Sequence, residues 1–283
     1  MNLTTDQLVE ITNASNLHPL ILGESIQKFT GKYKEQKVIF RIYPDNDYYQ
    51  NRFEREGAAL EAIAKVVKQM HTDEQLIIIP EIIDEWISEE VGCSIRALSW
   101  VHGQAFSSME PYLDFQLVIE LIELMMRAGK YMPAKFSFEQ DVVKKLTQPL
   151  NNEQENEEKW VLYLQLITEF LEQQKKTKLA GTHLIHGDFH EGNILQVYPT
   201  AKEQEAKYAI IDWEFASKGS IYFDLAYAQE YSKVHPPLHL QREVNIWKGF
   251  AIATLAHWYV INDRKSNNTD LWLKKLEHFV KKI

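Results

Sequence analysis

The chain of 283 residues is 45% hydrophobic and 25% charged, a composition that excludes disordered and fibrous classes and fits one large domain or two modest ones. At this length a chain buries roughly three quarters of its unfolded surface, so folding requires neither disulfides nor a structural metal. The single cysteine, Cys93, can form neither an internal disulfide nor a cysteine zinc cluster, and reads as a small buried side chain in a reducing compartment. Lysine and arginine number 31 against 40 acidic residues, and the net charge of −9 without a basic stripe argues against a nucleic-acid partner. The longest apolar stretches, 117–126 and 251–261, are broken by Glu120 and Glu123 or carry His257. Neither reaches the roughly 20 residues of a membrane span. The first seven residues lack the basic patch and apolar core of a signal peptide, so a cytoplasmic location is expected.

In chain order, Thr4 or Thr5 caps a short helix over 6–12, and 36–43 reads as a strand ended by Pro44. Residues 49–70 form a helix, because Phe53, Leu60, Ile63, Ala64 and Val67 recur at helical spacing. Further strands fall over 76–79 and 93–98, separated by Pro80 and an acidic turn over 88–90. The character changes around Trp100-Val101-His102-Gly103, and from Asp114 onward the chain is mostly helical. Over 115–132 the polar residues Glu120, Glu123, Arg127 and Lys130 make one narrow stripe, the mark of a helix buried on most sides. Helices follow over 152–174 and 241–262, and between them 194–197 and 208–211 pair as a long hairpin. The expected architecture is α+β and bilobal. Residues 1–99 form a small sheet-rich lobe, 100–104 a linker and 105–283 a larger helical lobe, with a cleft at the junction.

The densest group of reactive side chains lies on the loop before that hairpin, His186-Gly187-Asp188-Phe189-His190-Glu191-Gly192-Asn193. The second hairpin strand then delivers Asp212 back beside Asn193. Phosphoryl transfer needs such a set: a carboxylate to orient and deprotonate an acceptor hydroxyl, and oxygen ligands to hold Mg²⁺ against nucleotide phosphates. Asp188, Asn193 and Asp212 supply them. Two other readings compete for these residues. His183, His186, Asp188 and His190 can be read as ligands of a zinc-dependent hydrolase, although this leaves Asn193 and Asp212 without a role. Glycine, aspartate and asparagine here can also simply build a turn.

The segment 186–193 matches the H-x-D-x-x-x-x-N signature of the aminoglycoside phosphotransferase and choline kinase superfamily. Ile211-Asp212-Trp213-Glu214-Phe215-Ala216, followed by Phe223-Asp224-Leu225-Ala226, resembles its metal-binding strand and the segment after it. The resemblance implies a protein-kinase-like fold using ATP or GTP with Mg²⁺, in which Asp188 is the catalytic base and Asn193 and Asp212 hold the metal. His186 braces the loop, His190 approaches the γ-phosphate, and Asp224 anchors the loop from below. Arg41, alternating with apolar neighbours on its strand, takes the phosphate-clamping place where protein kinases carry lysine. Its helical partner is Glu56 or Glu54, with Glu56 preferred because it shares the apolar side of the helix. Main-chain groups of Ser99 and Val101 face adenine. Glu214 is expected to be solvated. The segment 22–29 holds a single glycine, so the glycine-rich loop of protein kinases is absent, which disfavours a protein kinase more than it disfavours nucleotide binding.

The expected acceptor is a small molecule bearing a hydroxyl, cationic or neutral: an aminoglycoside, an amino alcohol or a related metabolite. Trp213, Trp247, Trp258 and Trp272, with Tyr222, Tyr227, Tyr231 and Tyr259, offer an aromatic box for a quaternary ammonium. Glu230, Asp263 and Asp270 offer instead a grip for a polyamine sugar. Helical spacing assigns Trp247 and Trp258 to core packing. A catalytically idle nucleotide-binding protein with a regulatory or immunity role is the alternative from a different class.

Overall fold

The computed structural model describes residues 3–20, 26–70, 77–105, 115–147, 158–175, 181–197, 207–231, 238–263 and 265–282. Packing divides the chain into two compact units, Met1–Met109 with Gly192–Ala216, and Glu110–Glu191 with Ser217–Ile283. No helix among the described residues is long and apolar enough to cross a membrane.

The first unit opens with α1 (Thr5–Thr12). The Thr4 hydroxyl accepts the Gln7 N–H while the Gln7 side chain accepts the Thr4 N–H, a reciprocal capping box. Then come β1 (Ser15–Leu20), β2 (Gln27–Tyr33), β3 (Gln36–Pro44), α2 (Asp47–Met70), β4 (Ile77–Ile78), β5 (Ile82–Ser88), β6 (Cys93–Ser99) and β7 (Gly103–Ala105). An antiparallel sheet runs β1-β2-β3-β6-β5. Lys34 and Glu35, both at positive φ, close the β2–β3 turn in the left-handed conformation that matches strand twist. Alternation along β3 decides the faces. Val38, Phe40 and Ile42 join Leu8, Phe29, Ile95 and Ala97 in one core, whereas Tyr43 packs with Phe53 of α2 on the opposite face. Arg41, two residues from Tyr43, shares that α2 face, and Cys93 is buried in the first core, as its composition suggests.

Sequence reading assigns 192–216 to the helical lobe and a linker to 100–104. Main-chain hydrogen bonding groups both with the sheets instead. Strand β9 (Ile194–Val197) lies between β7 and β10 (Lys207–Ile210), which in turn runs parallel to β4. Gly103 makes this possible, because a Cβ there would sit 2.6 Å from the Gln196 carbonyl oxygen. The expected strand over 76–79 is confined to Ile77–Ile78, with Leu76 outside the described residues, as is the polar hairpin loop 202–205.

The second unit is helical: α3 (Phe115–Ala128), α4 (Phe138–Thr147), α5 (Glu158–Gln174), α6 (Ile221–Tyr231), α7 (Gln241–Asn262) and α8 (Asn267–Val280), with a two-stranded ribbon of β8 (His183–Ile185) and β11 (Ser217–Gly219). On α3, Val118, Leu121, Leu124, Met125 and Ala128 are buried and Glu123 and Arg127 are exposed, the predicted stripe. Helix α7 covers the predicted 241–262, whereas α5 is described only from Glu158. Trp247 is buried as expected, but Trp258, one turn beyond buried Leu255 and near the C-terminal end of α7, where Asn262 and Asp263 are also exposed, is 47% exposed.

Candidate active site

In the sheet-rich unit the hairpin register sets the geometry. Ile210 pairs with Ile194, and one step outward the Ile211 N–H donates to the Asn193 carbonyl at 3.0 Å. Asn193 and Asp212 therefore reach the same end of the hairpin. Asp212 leaves β10 at φ 68°, in the left-handed region that aspartate tolerates better than most residues, and starts a 3-10 turn over Trp213–Phe215. The Trp213 indole N–H donates back to the Ile210 carbonyl at 2.9 Å and its ring is buried, pinning the turn.

The Asp212 carboxylate is wrapped in cations. Lys28 Nζ reaches its two oxygens at 3.2 and 3.0 Å, and Arg41 pairs with it directly. Arg41 also donates to Glu56 of α2 at 2.6 Å and to Glu214. Glu56 in turn accepts from the Tyr43 hydroxyl at 2.6 Å and from Arg96 at 3.0 Å. Arg52, one turn before Glu56 on α2, pairs with Glu214 and lies over the Phe215 ring at 4.5 Å. Burial works against the Arg41 charge, but Asp212 and Glu56 outweigh it and hold the guanidinium above its ordinary value. Burial and then Arg41 push the Lys28 ammonium down, against Asp212. The Tyr43 hydroxyl is pushed well up by burial and stays a donor to Glu56.

In the helical unit, the loop after β8 is fixed by a fully buried carboxylate. Asp224 of α6 accepts the His186 N–H at 2.6 Å and the Gly187 N–H at 2.9 Å. Gly187 sits at φ 81°, which a side chain would strain. His186 is buried, and its Nδ1 accepts the Asp188 N–H at 3.3 Å. Asp188 accepts the Tyr227 hydroxyl at 2.9 Å, and His190 Nε2 stands 3.6 Å from its other oxygen. Burial alone would raise the Asp188 carboxyl, but the hydrogen bond and charge of His190, then His186 and Tyr227, hold it below the ordinary carboxylate range. Asp224 has less compensation, and burial pushes it up to about 7. The His190 ring also packs on Tyr231, 4.9 Å between centroids, and Tyr231 stacks on Tyr227.

Several sequence expectations change. Glu214 is 8% exposed and ion-paired with Arg41 and Arg52, not solvated, because the turn after Asp212 folds it back toward α2. Between the two candidates on α2, Glu56 is fully buried and pairs with Arg41, while Glu54 is exposed. Ser99 is committed to the sheet: its N–H donates to the Glu81 carbonyl and its hydroxyl accepts the Glu81 N–H. Of the main-chain groups expected to face adenine, the Ser99 N–H is thus taken up by the sheet, and Val101 lies beyond the strand end. Glu230 is neutralised by Lys248 at 2.6 Å and Lys275 at 3.2 Å, and Asp270 by Lys159 at 2.7 Å. Among the described residues no three His, Cys, Asp or Glu side chains gather as metal ligands. The zinc reading of the histidine-rich loop therefore has no ligand set behind it. Sequence reasoning missed Lys28, Arg52, Arg96 and Tyr227 as members of these networks, since no local pattern distinguishes them from surface cations or core aromatics.

The chain matches the family model described as phosphotransferase enzyme family over residues 22–258. It belongs to that family. No curated protein matches its sequence. Among solved structures it resembles a thermostable mutant of aminoglycoside phosphotransferase APH(4)-Ia in a ternary complex with AMP-PNP and hygromycin B, with TM-score 0.63, 14% identity and coverage of 98% of this chain and 97% of that one. The GDP and kanamycin complex of APH(2")-IIia aligns with TM-score 0.57 and 16% identity over 97% of both chains. A putative aminoglycoside phosphotransferase from Ralstonia eutropha JMP134 aligns with TM-score 0.54 and 15% identity, covering 94% of this chain and 91% of that one. The fold is thus the protein-kinase-like α+β fold of the aminoglycoside phosphotransferases, with a sheet-rich N-terminal part and a helical C-terminal part.

Proposed function

We propose that the protein is a cytoplasmic small-molecule kinase that moves the γ-phosphate of ATP or GTP to a hydroxyl group. The observation that carries this reading is Asp188: a carboxylate held ionised on a loop anchored by Asp224, within the family's signature segment. Asp188 accepts a hydrogen bond from the acceptor hydroxyl and takes its proton as the oxygen attacks the γ-phosphorus. The bond from that phosphorus to the bridging oxygen breaks, the nucleoside diphosphate leaves, and the proton passes to solvent. General-base assistance of this kind is worth roughly 10²- to 10⁴-fold, the rest of the acceleration coming from positioning and electrostatics. In this reading His190, whose Nε2 stands 3.6 Å from an Asp188 oxygen, donates to the transferred group.

The sheet-rich unit, Met1–Met109 with Gly192–Ala216, serves as the nucleotide-binding part, and the helical unit binds the acceptor. Arg41, braced by Glu56, clamps phosphates, and Val101 meets the base through its main chain. The oxygen set fits Mg²⁺. Asp212 already carries an ammonium across both carboxylate oxygens, so its site sustains positive charge, and Mg²⁺ commonly takes only one or two protein oxygens and the rest from phosphates and water. Asp212 and Asn193 would hold the ion, which screens the nucleotide's phosphate charge when bound.

The acceptor is a hydroxyl-bearing small molecule, aminoglycoside-like or an amino alcohol. The hygromycin B and kanamycin complexes of the structural relatives support a sugar, and the exposed Tyr231 ring offers aromatic surface to a cationic one. Thermal shift tests the nucleotide half of the reading. Mg-ATP or Mg-GTP raises the melting temperature, and Asp212→Ala removes the magnesium-dependent part of that rise. No shift with any nucleotide contradicts the reading.

A further inference from the structure

We propose that Lys28 is a second phosphate-binding residue of the nucleotide site, working beside Arg41 from the neighbouring strand. The inference rests on the kinase reading and adds a residue to it. Strand register places Lys28 of β2 directly opposite Arg41 of β3, so two cations stand side by side on one face of the sheet. Like charges in that position repel, and here both are largely withdrawn from water, with side-chain exposures of 16% for Lys28 and 3% for Arg41. The arrangement holds because one anion, the Asp212 carboxylate, lies against both.

The two cations are not equivalent. Arg41 has further carboxylate partners in Glu56 and Glu214, which fix it whatever happens at Asp212. Lys28 has Asp212 alone among the described residues, and that carboxylate occupies two of its three donors. Asp212 is also the carboxylate expected to turn to Mg²⁺. Once it does, Lys28 becomes a poorly solvated cation without a hydrogen-bonded counter-ion, left with only the longer-range charge of Glu56 against Arg41 beside it, a state that costs free energy unless another anion arrives. Phosphate oxygens of the incoming nucleotide are that anion. The site thereby exchanges one carboxylate for phosphate and metal together, and Lys28 makes binding depend on the phosphates and not on the nucleoside. This differs from a lysine on β3: the lysine lies one strand away, and the β3 place is filled by arginine.

The test is calorimetric titration of the full chain with ATP, ADP and adenosine in the presence of Mg²⁺, comparing wild type with Lys28→Met. Loss of a charge-assisted phosphate contact weakens ATP and ADP binding about 10- to 100-fold and leaves adenosine binding within about twofold. Equal ATP affinity in both proteins overturns the inference. So does parallel loss of ATP, ADP and adenosine, which marks a structural role. If Lys28→Met does not melt cooperatively, Lys28→Gln replaces it and the same outcomes decide. A wild-type protein that binds no nucleotide overturns the kinase reading itself, a result distinct from either.

Discussion

A carboxylate that is to take a proton from a hydroxyl must be ionised before the acceptor arrives, and a half-buried carboxylate tends the other way. Asp188 is held ionised by its neighbours, and Tyr227 is the one whose contribution can be removed with least disturbance, since only its hydroxyl touches the carboxylate. In Tyr227→Phe the charged form of Asp188 loses a donor, so its pKa rises. Activity is lost as pH falls through that pKa, so the acid limb of the kcat profile moves to higher pH. An acid limb that stays in place contradicts the assignment of Asp188 as the base. At this scale the sequence was informative where the motif is contiguous. Asp188, Asn193 and Asp224 all fall within recognisable segments, and Asp224 takes the anchoring position expected of it. It was silent on Lys28, whose partner Asp212 lies 184 residues away, and misleading on Glu214, whose partner Arg41 is 173 residues away. Nothing in the local sequence distinguishes such a carboxylate from a solvated one.

Among the elements, α2 and the turn over Trp213–Phe215 are joined by buried charge. Glu214 sits between Arg41 and Arg52, and Arg55 reaches the Ala216 carbonyl at 3.4 Å. Removing one member of a buried ionic set leaves the others uncompensated, at a cost of about 3–5 kcal/mol. Glu214→Gln should therefore lower stability by about that amount in urea unfolding, and a loss under about 1 kcal/mol would show the set to be solvated. The helices were the most legible elements. Helical periodicity located α2, α3 and α7 closely, because each carries an apolar face over several turns. Strands β1, β2, β5 and β7 were not anticipated. Their sequences are polar or short, and their burial is partial, so the pairing partner and not the local pattern makes them strands.

For the whole molecule, the pH dependence of folding carries the signature of Asp224. Its carboxyl is pushed up to about 7 in the folded protein, against 3.8 in the unfolded chain. The folded state thus keeps a proton that the unfolded chain releases between those values. The stabilisation is complete below the lower value and is lost as pH rises through the upper one, at about 1.4 kcal/mol per pH unit between them. Asp224→Asn cannot titrate, so the difference in unfolding free energy between it and the wild type should slope with pH over that window. A flat difference contradicts the burial-driven shift. The bilobal α+β plan was legible from the change in character near residue 100. The return of 192–216 to the sheets was not, since it depends on the pairing of β9 with β7 and of β10 with β4. The net charge of −9 is an average over the chain, and the site departs from it, with Lys28, Arg41, Arg52 and Arg96 gathered around Asp212, Glu56 and Glu214.

The most direct test of phosphoryl transfer is mass-spectrometric detection of a phosphorylated acceptor. Purified protein is incubated with Mg-ATP or Mg-GTP and aminoglycosides, macrolides, choline, ethanolamine, thiamine, homoserine and sugars. A phosphate ester on a hydroxyl of at least one acceptor, formed with one equivalent of nucleoside diphosphate and reduced roughly 10²- to 10⁴-fold in Asp188→Asn, is the expected result. Nucleotide binding with no product across the panel, or product formed by Asp188→Asn at the wild-type rate, would contradict it.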